Sequence, residues 1–286
     1  MKFALFVFSG SGNTVKIANK YKSILEDDGA EVITHMITLP LNEVDITPYD
    51  FIGIFYPIHA FNAPKIVLDF AKMLPVSNKK LFIVKTSGEP LILNNASSLK
   101  LLSILKKKGY NFTNEYSYCM PYNMIFRHDD GFATKMNSTA LKLIEVDALE
   151  LVKSIPHYLK KCPMGGVISF VFRIEHPAMK VNGKLFRVNK NKCVNCMQCI
   201  NNCPTKNISF ENGKFHFKNN CTMCTACSFN CPTNAISIGV LNSWKVNGRY
   251  SLTSEECFQQ TTHKNYCKKA YIRYFDEADK RIKNSI

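Results

Sequence analysis

Residues 3–14 read Phe3-Ala4-Leu5-Phe6-Val7-Phe8-Ser9-Gly10-Ser11-Gly12-Asn13-Thr14, an apolar run that passes directly into a Ser/Gly-rich turn. The run predicts a first strand, and the helical spacing from Thr14 to Glu26 predicts a helix directly behind the turn. Glycines let a backbone approach an anion closely, a helix N-terminus offers unpaired N–H groups, and Ser and Thr hydroxyls add donors. Ser9 to Thr14 therefore forms a phosphate cradle with no fixed positive charge. It lacks the Lys of a P-loop nucleotide site, and Val15 stands where the dinucleotide fingerprint has its third glycine. Glu31, at a plausible distance for a ribose contact, keeps a dinucleotide reading open; a Gly/Ser-rich turn without a ligand is the plain alternative.

Outward from this turn the pattern repeats. Strands are expected at Phe3 to Phe8, Glu31 to Ile37, Phe51 to Tyr56, Leu81 to Lys85 and, more weakly, Asn114 to Cys119. Helices are expected at Thr14 to Glu26, Pro64 to Met73 and Ser97 to Lys107, where apolar residues recur three or four apart and good helix formers dominate. Alternating strands and helices make an α/β, doubly wound fold with a five-stranded parallel sheet, whose ligands bind beyond the carboxyl ends of the strands. The loop behind each strand is then the place to look for a site.

The segment Ser9 to Thr14 resembles the phosphate loop of flavodoxins, which hold FMN with hydroxyl-rich loops of this form, and the resemblance covers roughly residues 1 to 155. It implies a flavodoxin-like sheet with FMN as cofactor, bound by Ser9, Gly10, Ser11, Gly12, Asn13 and Thr14. It also implies that Pro57, Ile58, His59, Ala60, Phe61 and Asn62 after the third strand, and Thr86, Ser87, Gly88 and Glu89 after the fourth, flank the isoalloxazine ring. His59 and Phe61 offer stacking or edge contacts, although His59 can equally cap a strand end. Many flavodoxins are strongly acidic, whereas this half carries Lys106-Lys107-Lys108, a run that suits a solvated helix end.

Of the 12 cysteines, all but Cys119 lie in the second half, and eight fall into two matching blocks. Cys193, Cys196, Cys199 and Cys203-Pro204-Thr205 return in the same spacing as Cys221, Cys224, Cys227 and Cys231-Pro232-Thr233; Ile208-Ser209 returns as Ile236-Ser237. Each block is C-x2-C-x2-C-x3-C-P, the run of bacterial 4Fe-4S ferredoxins. Three thiolates on one tight loop grip three corners of a cubane, and in two-cluster proteins the fourth ligates the other cluster. One cluster is thus assigned to Cys193, Cys196, Cys199 and Cys231, the other to Cys221, Cys224, Cys227 and Cys203. Zinc and disulfides are the rivals; two tetrahedral zinc ions leave the third cysteine of each block and the trailing proline unexplained.

The resemblance to a two-cluster bacterial ferredoxin covers about Lys184 to Val240, with short strands at Phe186 to Asn189, Ile208 to Phe210, Lys214 to Phe217 and Ile236 to Ile238. So small an α+β unit has little apolar core, and its clusters are part of what folds it. The organisation expected is residues 1–160 as the flavodoxin-like domain, 161–183 as a connector, 184–240 as the ferredoxin domain and 241–286 as a C-terminal helical tail. Broken periodicity at Pro156 and Cys162-Pro163-Met164-Gly165-Gly166 marks the connector, and the tail from Thr253 to Ile282 reads as a helix whose Tyr271, Tyr274 and Phe275 pack on a domain. Outside the blocks, Cys119 ends the fifth strand and Cys162 sits in the connector; Cys257 and Cys267, ten apart with no nearby pair of partners for a third cluster, read as buried thiols.

Composition bounds the rest. Lys and Arg number 37 against 22 Asp and Glu, a formal charge of +15, which invites a nucleic-acid reading. No base-reading motif supports it, and two clusters plus a flavin phosphate bring the balance to about +9. Lys180, Lys184, Arg187, Lys190 and Lys192, just before the first block, could steer an external redox partner, an acidic ferredoxin- or flavodoxin-type carrier or an oxidoreductase. No apolar run approaches the roughly 18 residues of a membrane span, and no cleavage pattern comes after Phe8, so a soluble, cytoplasmic protein is expected.

The pairing resembles the flavodoxin and ferredoxin fusion proteins of anaerobic prokaryotes and implies electron transfer between two 4Fe-4S clusters, FMN and an outside partner. The alternative is a flavin-dependent reductase of a small molecule, with His59, Tyr122 and Asn123 as candidate polar groups. A redox sensor is the third class.

Overall fold

The structure, a computed structural model, describes residues 1–252 and 266–284. Strands β1 (Lys2–Val7), β2 (Glu31–Met36), β3 (Phe51–Pro57), β4 (Lys80–Ser87) and β5 (Asn111–Cys119) form a parallel sheet in the order β2-β1-β3-β4-β5. That order is the flavodoxin-like one. The central strands are buried on both faces, which is why they read as unbroken apolar runs. Phe3, Leu5 and Val7 meet Ile17, Tyr21 and Leu25 of α1 (Asn13–Asp27) on one face. Ala4 and Phe6 share the other face's core with Ile66, Val67 and Phe70 of α2 (Lys65–Met73) and Leu101 and Leu105 of α3 (Leu99–Lys107). Helix α4 (Asp130–Val152) completes the first face through Ala140, Leu143 and Ile144, its start capped by Asp129.

The stretch expected as a connector carries two helices, α5 (Gly165–Phe172) and α6 (Glu175–Lys184). Pro163 lies in the turn just before α5 and Gly165 and Gly166 in its first turn, so none of them interrupts a helix interior, and tertiary contacts hold α5. The Ser169 hydroxyl donates to Asn62 Oδ1 at 2.7 Å, and Gly165 lies so close to Ala96 that a side chain would overlap it.

Beyond it come β6 (Arg187–Val188), α7 (Gln198–Asn201), β7 (Ile208–Glu211), β8 (Lys214–Phe217), α8 (Ala226–Phe229) and β9 (Ile236–Ser237). The duplication is written into the backbone: Asn195 and Met223, Met197 and Thr225, Lys206 and Asn234 all take positive φ near 50°. Pairing crosses the repeat, β6 with β9 and β7 with β8, both antiparallel. Phe186, Met223, Ile236 and Ile238 are its small core, and Cys199, Cys221, Cys227 and Cys231 pack against them.

Helix α9 (Lys268–Lys283) returns to the sheet half, Tyr271 and Phe275 packing on Cys119, Phe132 and Met136. Its Arg281 bonds Asp147 at 2.7 Å. The tail residues 253–265, Cys257 among them, lie outside the described residues. Cys119 is buried, whereas Cys162 is only partly so, and so is Cys267, expected to be a buried thiol.

Candidate cofactor site

Three loops meet at the carboxyl edge of the sheet. Ser9 to Asn13 joins β1 to α1, with Gly12 at φ 100° and no side chain capping the helix. No acidic residue stands in the first turn of α1, so its amides face outward without a competing carboxylate. Gly12 N–H donates to Ser9 Oγ at 3.2 Å, and the buried Thr14 and Thr86 hydroxyls share a hydrogen bond of 2.9 Å that joins the first loop to the one after β4. Uncapped amides and hydroxyls without a cation fit a phosphate monoester. Glu31 does not belong here: it opens β2 opposite Lys2, and pairs with its ammonium at 3.0 Å at the far end of the sheet. The dinucleotide reading fails because the carboxylate sits at the amino edge.

The loop after β3 is a tight turn in which His59 and Asn62 exchange backbone hydrogen bonds while Ala60 and Phe61 take positive φ. Ile58 N–H reaches Thr86 O at 2.8 Å, so this loop too is tied to the one after β4. Phe61 meets Phe172 of α5 edge-on at 5.2 Å. His59 lines a cavity of about 100 Å³ with His176, Thr222 and Cys221; burial, then the neighbouring His176, pulls it down to about 4, so it is neutral at pH 7. After β4, Ser87 donates to Glu89 O at 2.8 Å, and Gly88 lies directly beneath the Tyr122 ring, where a Cβ would not fit. The Glu89 carboxylate accepts from Tyr122, and burial pushes it up to about 7.

The second cysteine block is seated on the first loop. Gly10 lies against the Cys224 backbone so closely that a Cβ would overlap the Cys224 carbonyl oxygen. Asn123 Nδ2 donates to that carbonyl at 3.0 Å, and Thr225 Oγ1 donates back to Asn123 O at 3.2 Å. From the first block, Pro204 O accepts from Leu39 N–H at 2.7 Å. Residues 122–127 are strapped by the segment beyond β9, through Ile125 N–H to Trp244 O and Tyr250 hydroxyl to Tyr122 O, both 2.7 Å. Tyr122 and Asn123, read as polar groups of a substrate pocket, are thus spent on Glu89 and on holding the cysteine-rich half. No local pattern around them signals this role.

Cys193, Cys196, Cys199 and Cys231 line one narrow cavity of about 20 Å³, which Cys227 also reaches. Cys203 lies near enough to raise the thiols of Cys221, Cys224 and Cys227, whereas the thiol neighbours of Cys199 are Cys193 and Cys196. Cys231 thus lines a cavity with three thiols of the first block, and Cys203 lies beside three of the second. Burial pushes Cys199 and Cys221 up to about 11 and Cys224 up to about 12. Thiolates at such positions need a compensating cation, which iron would supply. Backbone N–H groups of Asn207 and Ala235 point at the Cys203 and Cys231 sulfurs, both at 3.2 Å. Among the described residues no three His, Cys, Asp or Glu converge on a single ion; a cubane, taking each thiolate on a different iron, does not ask them to.

A further network escaped the sequence reading. Lys85, 0% exposed within β4, pairs with the 1% exposed Glu115 of β5 at 2.7 Å, and Lys161 reaches the other oxygen of that carboxylate. A lysine closing the run Leu81-Phe82-Ile83-Val84 was the available signal.

Residues 185–208 match the model of a 4Fe-4S binding domain. The chain joins a flavodoxin-like fold to a 4Fe-4S binding sequence. Among solved structures it is similar to the flavodoxin of Streptococcus pneumoniae, at 17% identity over 54% of this chain and 100% of that one, with a TM-score of 0.41. Flavodoxin 1 of Bacillus cereus gives 18% identity over 54% and 98%, TM-score 0.40, and the Fusobacterium nucleatum flavodoxin, solved with flavin mononucleotide, 17% over 53% and 97%, TM-score 0.38. No curated protein sequence matches the chain. No helix among the described residues is long and apolar enough to cross a membrane.

Proposed function

We propose that this protein is an electron-transfer protein with FMN in the loops at the carboxyl edge of the sheet and two 4Fe-4S clusters in the cysteine blocks. Bound, the clusters exchange single electrons and the flavin one or two, so that together they couple one- to two-electron chemistry. Ser9 to Thr14, with Thr86, would take the flavin phosphate; residues 57–62 and 86–89 would border the ring. Cys193, Cys196, Cys199 and Cys231 would hold one cluster and Cys203, Cys221, Cys224 and Cys227 the other. The domains on this reading are a flavodoxin-like unit over 1–160 and a ferredoxin unit over 184–240, joined by the helical connector.

The observation that carries the reading is the seat of Cys224 on Gly10. It puts a cysteine of the second block in van der Waals contact with the phosphate loop, while Cys196 of the first block is exposed to solvent. On this reading the second block is the inner one, beside the flavin loops, and the first the outer one, open to a partner. The test is anaerobic purification with iron, sulfide, zinc and released flavin counted per chain, on the wild type and on Cys196→Ser and Cys224→Ser. About eight iron and one FMN are expected for the wild type, with one cluster lost or converted in each variant and flavin still bound by Cys196→Ser. Zinc in place of iron, or two intact cubanes in Cys196→Ser by electron paramagnetic resonance, would refute it.

A further inference from the structure

Between β6 and the β7–β8 hairpin runs an open groove of about 610 Å³ that reaches Cys193. One wall carries Lys184, Arg187 and Lys190, the other Lys214, and among the described residues no Asp or Glu lines it. Among the described residues, none of the ion pairs uses any of these four cations. The Arg187 guanidinium donates to the Lys184 and Phe186 carbonyls, at 2.9 and 2.8 Å. The groove also carries aromatic surface: Phe210, 36% exposed, packs its ring on Phe215 at 4.7 Å. Cys193 lines both this groove and the cavity it shares with Cys196, Cys199 and Cys231.

We infer that this groove is the docking surface for a redox protein with an acidic face, which would bring its own redox centre to the outer cysteine block. The inference rests on the electron-transfer reading above and adds where, and by what chemistry, the partner is recognised. Glu211 stands opposite Lys214 across the hairpin without forming an ion pair with it, and the excess of cations beside the outer cysteine block creates a field that steers an anionic surface and fixes its approach. Exposed aromatic area within a charged rim is the usual anatomy of a protein contact. A second copy of this chain is a poor occupant, since a two-fold contact would set the same cations against one another.

The test uses the anaerobically purified full chain and, as probe, a fluorescently labelled acidic two-cluster bacterial ferredoxin. Binding is read by anisotropy across ionic strength for the wild type, for the double variant Lys190→Glu/Lys214→Glu and for the milder Lys190→Gln/Lys214→Gln. Wild-type binding is expected to weaken with salt; charge reversal should weaken it about tenfold or more at low salt, and the gap should close near 0.5 M, where the Debye length falls to roughly 4 Å. The Gln pair should fall between. Iron content and reduction by methyl viologen radical, which needs no groove, are measured on the same samples. If these fail in the wild type, the electron-transfer reading fails; if they are normal and all three proteins bind the probe alike, or none binds it, the docking inference fails. An oligonucleotide whose binding depends on Lys190 and Lys214 while the ferredoxin's does not would assign the groove to nucleic acid and overturn it as well.

Discussion

The two halves of this chain reach a folded state by different means. In the sheet half, Phe3, Leu5, Ile52, Ile54, Leu81 and Ile83 are fully buried and the helices that cover them run from 9 to 23 residues. In the cysteine-rich half the helices α7 and α8 have four residues each, the strands two to four, and the apolar core is four side chains with cysteines against it. The first stands chiefly on buried apolar area. The second has too little of it and would draw on metal–thiolate bonds, as small metal domains do. The loops proposed to hold the flavin lie where the two meet.

Stripping the iron should break this contrast open most widely. Amide exchange is expected to speed up across residues 186–238 and to stay slow in β1, β3 and β4; equal protection with and without iron would mean that the cysteine half folds unaided. Next in size, Glu115→Gln leaves Lys85 buried without a counter-charge and should cost the sheet half about 3–5 kcal/mol in urea unfolding, with iron content unchanged. The seam is probed by Gly10→Ala. The new methyl meets a backbone carbonyl that cannot swing away, so a loss of about 1–3 kcal/mol and faster proteolysis between the halves are expected; unaltered stability would mean that the contact is not tight. The smallest effect is Thr14→Val, which removes one phosphate donor: FMN should bind about fivefold more weakly, roughly 1 kcal/mol, and riboflavin about as before. Equal losses for both ligands would remove the phosphate from this loop.

Where the sequence reading succeeded, its signals were local. The apolar runs ending in loops announced the sheet, because a central parallel strand is buried on both sides and so keeps an unbroken pattern. The connector was less legible: its glycines and prolines read as breaks, and only the contacts of Gly165 with Ala96 and of Ser169 with Asn62 explain why helices form there. Glu31 was misplaced because its distance along the chain says nothing about which end of β2 it occupies.

By itself the sequence determined the order of strands and helices in the sheet half and the duplicated cysteine spacing, since burial pattern and ligand geometry on one loop are properties of neighbouring residues. Only the tertiary structure decided that Lys85 meets Glu115 and Lys161, and that Asn123 and Gly10 receive Cys224. Those contacts join residues far apart in the chain, and the last depends on a side chain that Gly10 does not have; no local pattern records either.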